Sequence, residues 1–241
     1  MNPVFGLKTN PDFSEKQEEA WNTARRLVDE SIPCYGWEME QPEYYVVTGY
    51  DDTGYYYNGP GIESAAGPKP WRELGNTEIG IIEMYGVTRG QAADDSTTVR
   101  DALTFALKHA GDPGGWVLPG YRSGLPGWDL WIETVEQGEA SGLGMSYNAA
   151  VWAECRALGL KFLDEARQRF DESLAPLFEE AIENYFPVVD GLSCLVELFP
   201  LPQDMGLITD IRRDKALTCL ASAREAEEQA LGSLDKIAAA L

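Results

Sequence analysis

Two short runs dense in β-branched and aromatic residues, Glu43 to Tyr50 (EYYVVTGY) and Gly54 to Asn58 (GYYYN), are joined through Asp51-Asp52-Thr53-Gly54. Such residues suit a pleated, half-buried surface, and a short acidic connector ending in glycine has the chemistry of a tight turn. The pattern predicts a β-hairpin. An acidic turn also invites comparison with a calcium loop, but the further oxygen ligands of such a loop are missing, so an ordinary turn is expected.

Around the hairpin the periodicity predicts two more strands. Ile32 to Met39, opened by Pro33, carries Cys34, Gly36 and Trp37, and Glu78 to Tyr85 (EIGIIEMY) is apolar enough to be buried on at least one face. Ahead of them, Trp21, Ala24, Leu27 and Val28 recur at helical spacing between Ser14 and Glu30, with Asp12 or Ser14 as N-cap. Gly59 to Gly75, with Pro60, Pro68 and Pro70, reads as a loop crossing the sheet.

After Gly86 the pattern becomes helical. Ser96 or Thr97 caps a helix bearing Val99, Leu103 and Leu107 that stops at Gly111-Asp112-Pro113. Trp128, Trp131, Ile132 and Val135 mark a short amphipathic helix introduced by Pro126, and Met145, Ala149, Trp152, Cys155 and Phe162 a longer one. Leu174 to Phe199 repeats the stripe, with Pro187 expected to kink or divide it, and a last helix runs from about Thr209. Successive apolar stripes must bury one another, which argues for an antiparallel bundle. The expected class is α+β: a small antiparallel sheet over residues 1–90 and a helical bundle over 91–241, packed together as one unit.

The charge narrows the partners. With 40 acidic against 19 basic side chains the chain carries a net −21, which repels phosphate backbones and anionic headgroups, so neither nucleic acid nor a membrane is expected to bind. The beginning has no basic segment followed by an apolar one, and a cytoplasmic protein is expected. The four cysteines (Cys34, Cys155, Cys194, Cys219) form no CxxC pair and there is one histidine, so neither a metal nor a cofactor is expected. That histidine, His109, falls in the last turn of its helix, where a cation suits the macrodipole.

The run Glu43-Tyr44-Tyr45-Val46-Val47-Thr48-Gly49-Tyr50-Asp51-Asp52, followed by Asn58-Gly59-Pro60, resembles a motif of papain-like bacterial cysteine peptidases that process leader peptides. The helical part, through GLPGWDLWIETVE and ENYFPVVDGLSCLVELFPLP, resembles the C-terminal half of butirosin-biosynthesis-H-type proteins, papain-fold acyltransferase relatives. The resemblance implies a base and its orienting partner side by side across the hairpin. Here the histidine position falls on Glu43 and the aspartate position on Asn58. A carboxylate beside a thiol raises the thiol's pKa, the opposite of what an imidazolium does. Cys34, on a predicted strand, is the only N-terminal cysteine and the weak candidate nucleophile; burial as a small hydrophobe is the plainer expectation.

Eight aromatic residues, Tyr35, Trp37, Tyr44, Tyr45, Tyr50, Tyr55, Tyr56 and Tyr57, fall within the predicted sheet. Alternation sends them to both faces; one face packs on helices and the other can line a groove that stacks a ligand. Trp128 and Trp131 are candidates for the opposite wall. The expectation is a non-catalytic papain-like relative that binds a small molecule or peptide between sheet and helices, through Trp37, Glu43, Tyr45, Asn58, Trp128 and Trp131. The alternatives are a thiol-dependent acyltransferase or hydrolase of altered mechanism, and a structural interaction module that forms a homo-oligomer through a bundle face.

Overall fold

The computed structural model of the chain describes residues 3–201, 205–208 and 211–241. It is an α+β protein that divides into two compact units, Met1–Gln91 and Ala92–Leu241.

The first unit is a six-stranded antiparallel sheet with one helix. The strands β1 (Val4–Leu7), β2 (Cys34–Trp37), β3 (Tyr44–Tyr50), β4 (Gly54–Asn58), β5 (Ala66–Pro70) and β6 (Ile81–Gly86) lie in the order β1-β6-β2-β3-β4-β5, and α1 (Phe13–Asp29) joins β1 to β2. Asp12 stands at the start of α1 but makes no side-chain cap. The predicted hairpin is β3–β4. Its turn is tied by Asp51, whose Oδ1 accepts from the Thr53 and Gly54 amides at 2.7 and 3.1 Å and whose Oδ2 accepts from the Tyr56 hydroxyl at 2.9 Å. Those backbone donors, chiefly Thr53 and then Gly54, hold the carboxyl below its usual range. The carboxylate is thus engaged by its own turn.

Two strands differ from expectation. β1 is too short, at four residues including a glycine, to show any alternation. β5 falls inside the segment read as a loop, where Pro68 and Pro70 are tolerated because an edge strand leaves one side of its backbone unpaired. Gly54 is required where β4 meets this edge: a Cβ there would lie 1.7 Å from the Lys69 carbonyl oxygen.

α1 packs its buried side, Ala20, Trp21, Ala24 and Leu27, against the inward residues of the sheet, among them Val4, Cys34, Tyr45, Val47, Tyr55, Tyr57, Ile82 and Met84. Trp21 is the hub, edge-on to Tyr50 at 5.7 Å and Tyr55 at 5.0 Å and stacked on Trp71 at 6.2 Å. Gln17 anchors the helix to the turn after β5 by donating to the Arg72 and Leu74 carbonyls. A bulge between Val47 and Gly49 inserts Thr48 against the β4 ladder. It lets Val47 and Tyr50, three residues apart, both face the α1 side, where strict alternation would send Tyr50 to the other.

The second unit is an antiparallel bundle of α2 (Asp95–Gly111), α3 (Gly124–Glu136), α4 (Gly142–Arg167), α5 (Ala175–Leu198) and α6 (Arg212–Ala240). Thr209, where the last helix was expected to begin, lies outside the described residues. Helix α2 is capped by Asp94, which accepts from the Thr97 amide at 2.9 Å, two residues before the expected Ser96 and three before the expected Thr97. Pro187 sits inside α5, which continues through it as one helix.

Cross-helix partners set the directions. Asp129 of α3 meets Arg224 and Val135 meets Arg213, while Ser96 at the start of α2 meets the Leu241 carbonyl, so α2 and α3 run in succession down α6 as one interrupted lane. The interruption is the loop from Asp112 to Ser123. It is closed by the Ser123 hydroxyl, which lies 3.1 Å from the His109 carbonyl and 3.0 Å from that of Asp112. The bundle has two apolar clusters, one around Val188, Leu192, Leu195 and Leu220, the other around Leu103, Leu163, Phe178 and Ile237. Tyr185 packs against both, beside a buried ion pair of Arg156 with Glu227. Cys194 of α5 and Cys219 of α6 are disulfide-bonded.

Candidate functional site

Alternation along the strands divides the aromatic residues of the sheet. Gly36 pairs with Tyr45 and Trp37 with Tyr44, so Tyr45 belongs to the α1 side and Trp37 to the open side. Tyr45 is 0% exposed, with its hydroxyl 3.2 Å from both the Gln41 amide and the Pro60 carbonyl. Trp37 and Tyr45 therefore cannot line one groove, and the space between α1 and the sheet is filled by side chains. Of the expected site residues in this unit, Tyr45 is a core residue and Trp37 a face residue.

The open face gathers Tyr35 and Trp37 from β2, Tyr44 and Val46 from β3, and Glu83 and Tyr85 from β6. Tyr35 lies opposite both Val46 and Tyr85, and Trp37 opposite Tyr44. Tyr35 stacks on Tyr85 with centroids 5.0 Å apart and planes 16° apart. Tyr44 stands steeply to its neighbours, at 79° to Tyr35, 68° to Trp37 and 68° to Tyr85, with centroids 5.7, 5.0 and 6.2 Å away. Aromatic pairs in these geometries contribute about 0.5–1.5 kcal/mol each beyond the area they bury. The rings thus form a self-supported platform, yet Tyr44 remains 43% exposed and Val46 52%.

The Tyr44 hydroxyl donates to the Glu83 carboxylate, and that bond, first, with burial second, holds the phenol well above its ordinary pKa. The Trp37 indole N–H is shielded from solvent and has no acceptor among the described residues. An unpaired donor of this kind costs about 1–3 kcal/mol of desolvation. Tyr85 and Glu83 were absent from the sequence-derived site. Their signal was the parity of β6, since Ile82 and Met84 are buried and the residues alternating with them, Glu83 and Tyr85, must face the other way.

The other expected site residues are placed elsewhere. Asn58 pairs with Val46, whereas Glu43 lies in the bend before β3, three residues and about 10 Å further along the strand direction. Glu43 also has the opposite parity to Tyr44 and Val46. The expected side-by-side pair of Glu43 and Asn58 does not form, and the Asn58 side chain accepts from the Gly59 amide at 2.9 Å. Trp128 is buried in the core of the second unit, and Trp131 packs partly buried against the same core with its indole directed at the Met145 sulfur, 3.1 Å away. Their stripe serves helix packing. Cys34 is 1% exposed and its thiol is pushed up to about 11 by burial.

Among the described residues no group of three or more His, Cys, Asp or Glu side chains is placed to hold a metal ion. No described helix is long and apolar enough to cross a membrane. Two shallow depressions, of about 470 and 370 Å³, run over the outer side of α1 between residues such as Glu15, Glu19, Asn22 and Arg26. They are open grooves among the polar side chains of α1, the second reaching Glu30 and Tyr50 of β3, on the side of the sheet away from the platform. The open aromatic face is the stronger candidate because its rings converge from three strands. No family model and no curated protein matches this chain.

Proposed function

We propose that this chain is a non-catalytic binding protein whose ligand, a small molecule or peptide, docks on the open aromatic face of the first unit. The reading modifies the sequence-based expectation in one respect: within this unit the ligand lies on the outer face of the sheet, because the inner face is filled by α1. One observation carries it. Tyr35, Trp37, Tyr44 and Tyr85 present contiguous ring surface beside an unpaired indole N–H, while the remaining aromatic core of the same sheet is sealed. Apolar surface edged by a few unsatisfied polar groups is what ligand sites offer.

A descent from papain-like enzymes is compatible with such a role but does not support it, since Glu43 and Asn58 are not brought together. The thiol-enzyme alternative is disfavoured by the burial of Cys34, and no observation gives it a base.

Screening the ¹⁵N-labelled full chain by NMR against small aromatic and amine fragments and short extended peptides tests the proposal. The expected result is a set of binders that shift the Trp37 indole signal together with the amides of β2, β3 and β6. A screen whose binders all shift α1 or the helical unit and leave those signals in place would move the site elsewhere.

A further inference from the structure

Formal charge on the aromatic face is one-sided. Of Phe5, Tyr35, Trp37, Tyr44, Val46, Asn58, Glu83 and Tyr85, which share that side of the sheet by register, Glu83 alone is ionisable near neutral pH, and it is an acid. No lysine or arginine is among them, although the opposite side of the unit places Arg25 over Trp21 and Arg72 over Trp71. Among the described residues, the rings on the helix side have cations of their own and those of the open face have none.

We infer that the open face takes an organic cation, an alkylated ammonium or a guanidinium group, seated against Tyr35, Trp37, Tyr44 and Tyr85 with the Glu83 carboxylate as its counter-charge. This rests on the proposal that the face is the binding surface, and goes on to name the chemistry of what binds. Ring faces carry the negative end of the aromatic quadrupole and attract a cation within about 6 Å of the centroid. Tyr44 set at 68–79° to its three neighbours offers ring surfaces in two orientations, so a compact cation can meet more than one of them. The chain's net −21 raises the local concentration of cations and disfavours anions. A bulky alkylated ammonium also fits better than a metal ion, because rings and one carboxylate leave a hard cation short of oxygen ligands.

Two sources share this chemistry, a free quaternary amine and the side chain of a basic peptide, and separate probes distinguish them. Choline and its neutral isostere 3,3-dimethylbutan-1-ol are titrated into the ¹⁵N-labelled full chain, followed by an acetyl-Gly-Arg-Gly-amide peptide and its norleucine counterpart. The expected result is that at least one cationic probe shifts the Trp37 indole and the β2, β3 and β6 amides with at least tenfold higher affinity than its neutral partner. Choline alone doing so identifies a free amine, and the arginine peptide alone a peptide ligand. Glu83→Gln is expected to weaken that cation about tenfold, and Tyr35→Leu to weaken it at least as much.

Equal shifts from charged and neutral partners would overturn the cation class while leaving the binding face standing. Cation binding that survives both Glu83→Gln and Tyr35→Leu unchanged would overturn it as attraction to the acidic chain at large. Neither cation shifting the face while neutral fragments from the screen do so would overturn it too. Silence of the face toward cations and fragments alike would remove the proposed function with it.

Discussion

Replacing Glu227 by alanine is expected to cost the helical unit about 3 kcal/mol, because it strips the counter-charge from a guanidinium whose side chain is only 20% exposed. Arg156 meets Glu227 through two parallel bonds, Nη2 to Oε1 at 2.6 Å and Nε to Oε2 at 3.0 Å, and the Glu227 side chain is 4% exposed. Trp152 covers the guanidinium from one side at 5.4 Å. With the carboxylate gone, Arg156 must stay charged in a largely desolvated seam or swing outward and disturb the side chains packed around it. In a unit of this size the loss corresponds to a fall in melting temperature of roughly 10 °C, read by circular dichroism at 222 nm. The double variant Arg156→Met/Glu227→Leu should recover most of it, since a buried ion pair is often no more stabilising than an apolar pair of similar volume. A double variant as unstable as the single one would show that the cost came from lost packing and not from an orphaned charge.

Alkylation separates the two free thiols by a still wider margin. Iodoacetamide at pH 8 is expected to modify Cys155, which is exposed, at least a hundredfold faster than Cys34 in the folded chain. Two causes act together on Cys34. Burial pushes its pKa to about 11, leaving roughly a thousandth of it as thiolate at pH 8, and the same burial keeps the reagent out. The folded thiol keeps its proton longer than the unfolded one, so the stability this contributes is complete below the ordinary value of 9.0 and is lost as pH rises toward 11. Mass spectrometry of partly modified chain gives both rates. Cys34 reacting faster than Cys155 near neutral pH would revive a thiol-dependent activity.

What was legible in the sequence was whatever local chemistry decided alone. β3 and β4 were found because strand propensity on both sides agreed with the Asp51 turn, and α1 because Trp21, Ala24 and Leu27 repeat at helical spacing on a polar background. β5 was hidden because its prolines deny a central strand, and only the sheet order reveals that this one is an edge. The division of the aromatic residues was half legible: alternation separates Tyr44 from Tyr45, but the Thr48 bulge that turns Tyr50 inward leaves no mark in composition.

The misplacements share one cause, which is that they depend on partners distant in sequence. Trp128 and Trp131 occur at a spacing that suits a groove wall as well as a helix–helix seam, and only the placement of α6 decides for the seam. Glu227 sits in a stretch, AREAEEQA, that reads as a solvated face until Arg156 is found across from it. Cys194 and Cys219, 25 residues apart, become neighbours only because α5 and α6 run antiparallel. The site suffered in the same way. A motif resemblance located it at Glu43 and Asn58, whereas the register across β2, β3 and β6 assembles it from Tyr35, Trp37, Tyr44, Glu83 and Tyr85.

One sheet carries a sealed aromatic face and an open one, and hydroxyl-radical footprinting of the full chain, read residue by residue by mass spectrometry, measures that difference directly. Tyr44 and Trp37 are expected to oxidise several-fold faster than Tyr45 and Tyr55, both 0% exposed, despite lying on the same or adjoining strands. Saturation with a ligand that shifts the Trp37 indole should then protect Tyr44 and Trp37 and leave the slow pair unchanged. Tyr44 protected in the free chain as fully as Tyr45, or Tyr45 and Tyr55 oxidised as fast as Tyr44, would contradict the open face and with it the binding function assigned to it.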